Sequence, residues 1–250
     1  MRPFVIKLIL AGFSAALLSG CGASTIPAVH SEAERLAVAR RLMAQGQCGT
    51  SIELLKTYIE NNGGSADVDQ AIYLLGECYL RTKDWTAASI EFERLLRDYP
   101  ESDSSGSASF RLGEATFGQA RPPDFDQEHT LKALNQWQSY LRAYPEHWLN
   151  AEAERKVALA RRRLATKLLN TGRLYYKLKL HEPARVYFER VAEEYGDLDV
   201  VGDAWLGLAL VEATKGKKVQ AIARLKEIEE RFPGQSIAAR AAHERARLER

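Results

Sequence analysis

Residues 72–100 read IYLLGECYLRTKDWTAASIEFERLLRDYP, and their spacing decides the fold. Ile72, Leu75 and Tyr79 recur at three and four residues, the period of one helix face. Gly76 and, beyond a short polar break, Ala88 are small where two antiparallel helices would cross, which lets the backbones approach. Tyr79 and Phe92 are placed to fill the space beside that crossing. Pro100 stops the second helix, because proline lacks the N–H donor and clashes with the preceding turn. The stretch is expected to fold as a helical hairpin.

The same register returns along the chain. Gly172, Tyr175, Ala184 and Phe188 repeat it, with Tyr195-Gly196 as the stop; Trp205, Leu208, Ala209, Ala221, Leu225 and Pro233 repeat it again. Gly113, Ala133, Trp137 and Pro145 form a copy stretched between its helices, and Ala39, Leu42, Ser51, Leu55 and Tyr58 a weaker first copy that stops at Asn61-Asn62-Gly63-Gly64. This is the tetratricopeptide spacing. No run shows sustained alternation bounded by hairpin turns, so strands are not expected. A lone hairpin cannot bury its apolar face, but stacked neighbours form a continuous core. The expected fold is all-α: an α-solenoid of about five tetratricopeptide-like hairpins with a C-terminal capping helix from about Ser236 to Arg250.

Two departures from the repeat stand out. Arg121-Pro122-Pro123-Asp124-Phe125-Asp126-Gln127 separates the helices of the third unit, with Asp126 placed to cap the second; the segment is either a solvated loop or a contact point. From Asn150 to Leu180 there is no proline, and the single Gly172 is a repeat residue, so one helix of about 30 residues and 45 Å is expected. It would join the front three units to the back two, with Arg161-Arg162-Arg163 on a solvated face.

The N-terminus carries a different signal. Arg2 and Lys7 precede an apolar stretch from Val5 to Leu18, which ends in Leu18-Ser19-Gly20-Cys21. That is the layout of a removable secretory segment, and it matches the bacterial lipoprotein box. Residues 1–20 are expected to be a lipoprotein signal peptide, Cys21 to carry the acyl (palmitate-type) chains, and residues 21–30 to form a lipidated linker. Residues 31–146 are then expected to hold units one to three, and residues 147–250 the long helix, units four and five and the cap.

Composition narrows the function. The chain has 250 residues with a formal net charge of +2, and two of its cations leave with the signal. A near-neutral chain lacks the concentrated positive charge that nucleic acid requires. His30, His129, His147, His181 and His243 are scattered, so neither a metal site nor a cofactor is expected. Ser102, Ser104, Ser105 and Ser107 lie around Gly106, yet no strand precedes them to form a nucleophile elbow. There is no glycine-rich phosphate loop, and an enzyme is not expected. Cys48 starts the second helix of unit one and Cys78 lies late in the first helix of unit two; they form either a disulfide or two buried thiols.

With the lipobox, the loop Asp124-Phe125-Asp126-Gln127 followed by Thr130, Ala133 and Trp137, and the spine from Leu159 through Leu164-Ala165 to Tyr175-Tyr176, Lys177 and Ala184, the chain resembles the BamD family. These are the tetratricopeptide lipoproteins of the outer-membrane β-barrel assembly machine. The sequence departs from the family at Gly196, where the family tends to have proline. The resemblance implies a lipid-anchored scaffold on the periplasmic face of the outer membrane. It implies docking on the barrel component, beside accessory lipoproteins, through the C-terminal units, and binding of unfolded barrel precursors through the N-terminal ones. A scaffold for another envelope complex, serving constriction, pilus assembly or peptidoglycan coordination, is the alternative.

In this repeat type the first helix of each unit lines one face. Register places Leu36, Arg40 and Met43 there from unit one, Gln70, Tyr73, Glu77 and Arg81 from unit two, and Phe110, Glu114 and Phe117 from unit three. Aromatic and charged groups together suit an extended peptide or a helix. Arg185, Arg190, Arg240 and Arg245 are candidates for docking an acidic partner.

Overall fold

The computed structural model describes Pro27 and residues 29–250, so the expectations for the signal segment and Cys21 lie outside the described residues. Those described residues form eleven α-helices and no strand. They run α1 (Glu32–Ala44), α2 (Cys48–Asn61), α3 (Val68–Arg81), α4 (Trp85–Asp98), α5 (Ser105–Gly118), α6 (Glu128–Ala143), α7 (Asn150–Lys177), α8 (His181–Glu194), α9 (Val201–Thr214), α10 (Lys218–Arg231) and α11 (Ser236–Glu249). Each packs on its successor, giving a solenoid of helical hairpins closed by α11.

The crossings are built as the spacing requires. A Cβ placed on Gly76 would lie 2.7 Å from the Phe92 ring, and one on Gly113 would lie 2.3 Å from the Trp137 indole. Both aromatic side chains are fully buried. Buried apolar side chains continue from one hairpin to the next, from Leu36 in α1 to Ala241 in α11.

The turns inside the hairpins share a feature. Gly46, Lys83, Lys179 and Gly216 hold φ between +61 and +78°. In the second hairpin the Asp84 N–H donates to the Tyr79 carbonyl (2.9 Å) and the Lys83 N–H to that of Leu80 (3.1 Å), the paired bonds that close a helix through a left-handed residue. Two of the four turns hold lysine where glycine carries no steric penalty.

Helix α7 has 28 residues and spans about 42 Å. Its first half packs with α6 through Ala153 and Ala160, and its second half with α8 and α9 through Leu169. The first helices of neighbouring hairpins touch, α1 with α3, α3 with α5, α7 with α9 and α9 with α11. Between α5 and α7 that contact is no more than marginal, and the face opens there.

The loop of the third unit is largely exposed and is fixed from within. Gln127, not Asp126, is the N-cap residue of α6. Its buried amide donates to the carbonyls of Arg121, Pro122, Phe125 and Asp126 and accepts from Thr130 Oγ1 (2.8 Å). Arg163 donates to the Arg121 carbonyl (2.5 Å), Lys167 to that of Asp124 (2.6 Å), and Asn170 to the Asp124 carboxylate (2.7 Å). Arg161 to Arg163 lie on a solvated face, as expected, and make bonds across it. Arg161 pairs with Asp197 (2.6 Å), Arg162 with Asp199 (2.8 Å), and Arg163 holds the loop.

Candidate functional cleft

Where α7 leaves the face of α5, a cleft of about 450 Å³ opens between α3, α5 and α7, within the size range of ligand pockets. Its floor is a chain of alternating charges. Arg111 Nε lies 2.6 Å from Glu77 and Arg111 Nη1 2.5 Å from Glu114. Lys156, presented by α7, lies 2.6 Å from Glu114. Burial opposes the charge on Arg111, yet the Glu77 and Glu114 carboxylates raise its pKa above the ordinary arginine value.

Aromatic groups line the rest. Trp85, at the start of α4, lies over Gly118, where an added Cβ would meet the indole at 2.4 Å. Phe117 packs on Trp137 with ring centroids 5.6 Å apart, and the Arg163 guanidinium sits 5.1 Å from the Phe117 centroid. Trp137 is anchored below, its Nε1–H donating to the Phe110 carbonyl at 3.1 Å.

The residues placed on this face by sequence divide. Glu77, Arg81, Glu114 and Phe117 line the cleft. Tyr73 lies on the same helix, its hydroxyl donating to Glu77 Oε1 (3.3 Å), and its burial raises its pKa. Arg81 also donates to the Met43 carbonyl (2.9 Å), and Arg40 to the side chain of Gln70, tying α1 to α3 beside the cleft. Leu36, Met43 and Phe110 are corrected: all three are core residues, at 5%, 9% and 0% exposure. Leu36 and Met43 face the α1–α3 core, and Phe110 sits 5.7 Å from Tyr140, centroid to centroid. Sequence reasoning missed Arg111, Lys156 and Trp85. Arg111 is the neighbour of the misplaced Phe110, and that one-residue shift in register was the signal available.

The four arginines assigned to docking are occupied within the chain. Arg185 pairs with Glu182 (3.0 Å) and Glu189 (2.6 Å), Arg190 with Glu194 (3.0 Å), Arg240 with Asp203 (2.6 Å), and Arg245 with Glu229 (2.8 Å). Cys48 and Cys78 are both buried free thiols, which corrects the disulfide alternative. Burial pushes the Cys78 thiol up to about 12, with Ser51 opposing the shift, so the thiolate needed for oxidation is scarce at neutral pH.

Residues 30–212 match the family model YfiO, described as an outer membrane lipoprotein. Comparison with curated proteins gives no match. Among solved structures the chain is similar to TTC0263, a thermophilic TPR protein of Thermus thermophilus. That similarity has 18% identity, covers 85% of this chain and 98% of that one, and has a TM-score of 0.40. A tetratricopeptide repeat protein from Parabacteroides merdae is also 18% identical, covering 87% of this chain and 72% of that one, with a TM-score of 0.39. MamA from Desulfovibrio magneticus is 15% identical, over 84% of this chain and 99% of that one, with a TM-score of 0.42.

Proposed function

The chain belongs to the YfiO family of outer membrane lipoproteins, and from that premise we propose that it is a non-catalytic scaffold of the BamD kind. In this reading Cys21 carries the lipid anchor and the helices face the periplasm. The front hairpins receive segments of unfolded outer-membrane precursors, and the back hairpins dock on the barrel component of the assembly machine.

The observation that supports this most is the cleft at the α5–α7 seam. An unfolded segment offers backbone N–H and C=O groups and alternate side chains. The carboxylates of Glu77 and Glu114 accept from backbone donors. Arg111 and Lys156 donate to carbonyls, and Trp85 and Phe117 provide apolar contact for the side chains. Glu77, Arg111, Glu114 and Lys156 balance one another in a linked row, which suits binding.

Crosslinking in whole envelopes tests the docking half. A photoreactive residue in place of Val186, exposed on α8, is expected to capture a component of the barrel assembly machine. Capture of a constriction, pilus or peptidoglycan component instead would overturn that assignment.

A further inference from the structure

The last two hairpins are polarised along their length. Their inner turns carry Lys177, Lys179, Lys215, Lys217 and Lys218, whereas the connection between them, at the other end, carries Glu193, Glu194, Asp197 and Asp199. The two lysine turns are neighbours in space, because Lys215 pairs with Glu182 at the start of α8.

Folding does not call for Lys179, Lys217 or Lys218. Lys217 is the N-cap residue of α10 and Lys218 its first helical residue, with no side-chain cap and no acid in the first turn. Cations there oppose a helix dipole that favours anions. Lys179 occupies a left-handed position, φ +61°, that Gly216 fills in the next hairpin. Between the lysines stand apolar side chains with nothing over them: Leu178 is 59% exposed, Leu180 47% and Val219 82%. Arg173, Arg185, Arg190 and Arg224 of these hairpins are closed on carboxylates. Among the described residues, Lys177, Lys179, Lys217 and Lys218 have no ion-pair partner.

We propose that this edge docks on the anionic phospholipid surface of a membrane. Lysine ammonium groups on flexible stems meet mobile phosphate headgroups, while Leu178, Leu180 and Val219 enter the boundary with the acyl chains. Charge complementarity selects this occupant: free cations surround an apolar tip that projects at the turns, without the fixed geometry of arginine pairs. The contact adds to the lipid tether of the functional reading, placing the back hairpins at the membrane as well, but it does not depend on that tether.

The chain from residue 22 onward keeps all eleven helices and has no Cys21 to acylate. It is floated with phosphatidylcholine vesicles and with equal mixtures of phosphatidylcholine and phosphatidylglycerol. Flotation is expected only with the anionic vesicles, and is expected to weaken as salt rises. The double substitution K217A/K218A is expected to lower partitioning about 25-fold, at roughly fivefold per lysine. Val219→Asp is expected to lower it further. Lys179→Gly is expected to weaken flotation while raising the melting temperature, which separates lost contact from lost folding. Absence of flotation with anionic vesicles, equal flotation with neutral ones, or unchanged flotation of K217A/K218A would overturn the proposal. Precursor capture at the cleft is read separately, so either reading can fail alone.

Discussion

The front three hairpins and the back two are built on one crossing and present different surfaces. Phe92 lies against Gly76 and Trp137 against Gly113 in the front, as Phe188 lies against Gly172 in the back. In the front the face opens into a cleft of about 450 Å³ floored by linked charges, whereas the corresponding back face leaves about 140 Å³ around Asp203 and its two arginines. The difference teaches that the repeat fixes the stacking alone. The surfaces diverge at positions that packing leaves free, and where helix α7 runs past the repeat.

Deep truncations at the shared crossing should show the equivalence of the two halves. Trp137→Ala and Phe188→Ala are each expected to cost about 3–5 kcal/mol in denaturant unfolding. Hydrogen exchange is expected to show lost protection mainly in the mutated half, since each repeat leans on its neighbours.

The surfaces are expected to differ where the crossings do not. Arg111→Met leaves Glu77 buried beside no cation, and is expected to cost about 2–3 kcal/mol, less than a fully enclosed pair because Arg111 is partly exposed. Arg185→Ala in the back breaks only exposed pairs, and is expected to cost under about 1 kcal/mol by the same melt. Equal costs would remove the distinction.

The left-handed turns sharpen the comparison from the other side. Lys83→Gly in the front and Lys179→Gly in the back are each expected to stabilise by about 0.5–1 kcal/mol, the steric relief less glycine's entropy. Similar gains would show that the turns belong to the common scaffold, whatever their surface role.

A smaller, pH-dependent effect arises in the front at His147. His147 Nδ1 accepts from the Leu149 N–H (3.3 Å) and lies 2.8 Å from the Tyr140 hydroxyl, and burial lowers its pKa below the ordinary histidine value. The folded chain therefore binds a proton there less readily than the unfolded chain. The stability this gives is complete above pH about 6.5 and is lost as pH falls below that, levelling off beneath the folded pKa. Denaturant titrations across that range are expected to show the loss in the native sequence and its reduction in His147→Asn, which keeps an acceptor and cannot charge.

The crossings, the long helix and the cap were legible because each leaves a residue-type signal: glycine opposite an aromatic, a run without proline, a proline at a stop. The cleft was legible only in part. An apolar residue at groove spacing looks the same in sequence whether it faces a groove or a core, so Phe110 was placed where Arg111 stands. Lys156 was hidden because α7 read as a spine, and only its departure from α5 makes it a wall. Arg240 showed its charge but not its partner; Asp203 lies 37 residues from it and reaches it only through the stacking of α9 on α11. Lys83 and Lys179 gave no hint of left-handed backbone, because side-chain identity argues against it.

Capture of an unfolded precursor at the cleft tests the account most directly. A photoreactive residue is placed at Trp85, and another at Val219 for comparison, in cells whose outer-membrane precursors are being assembled. Precursor adducts are expected from position 85 and not from position 219. Adducts from position 219 alone, or from neither site while the chain remains folded in its envelope, would contradict the assignment of the front cleft to unfolded chains.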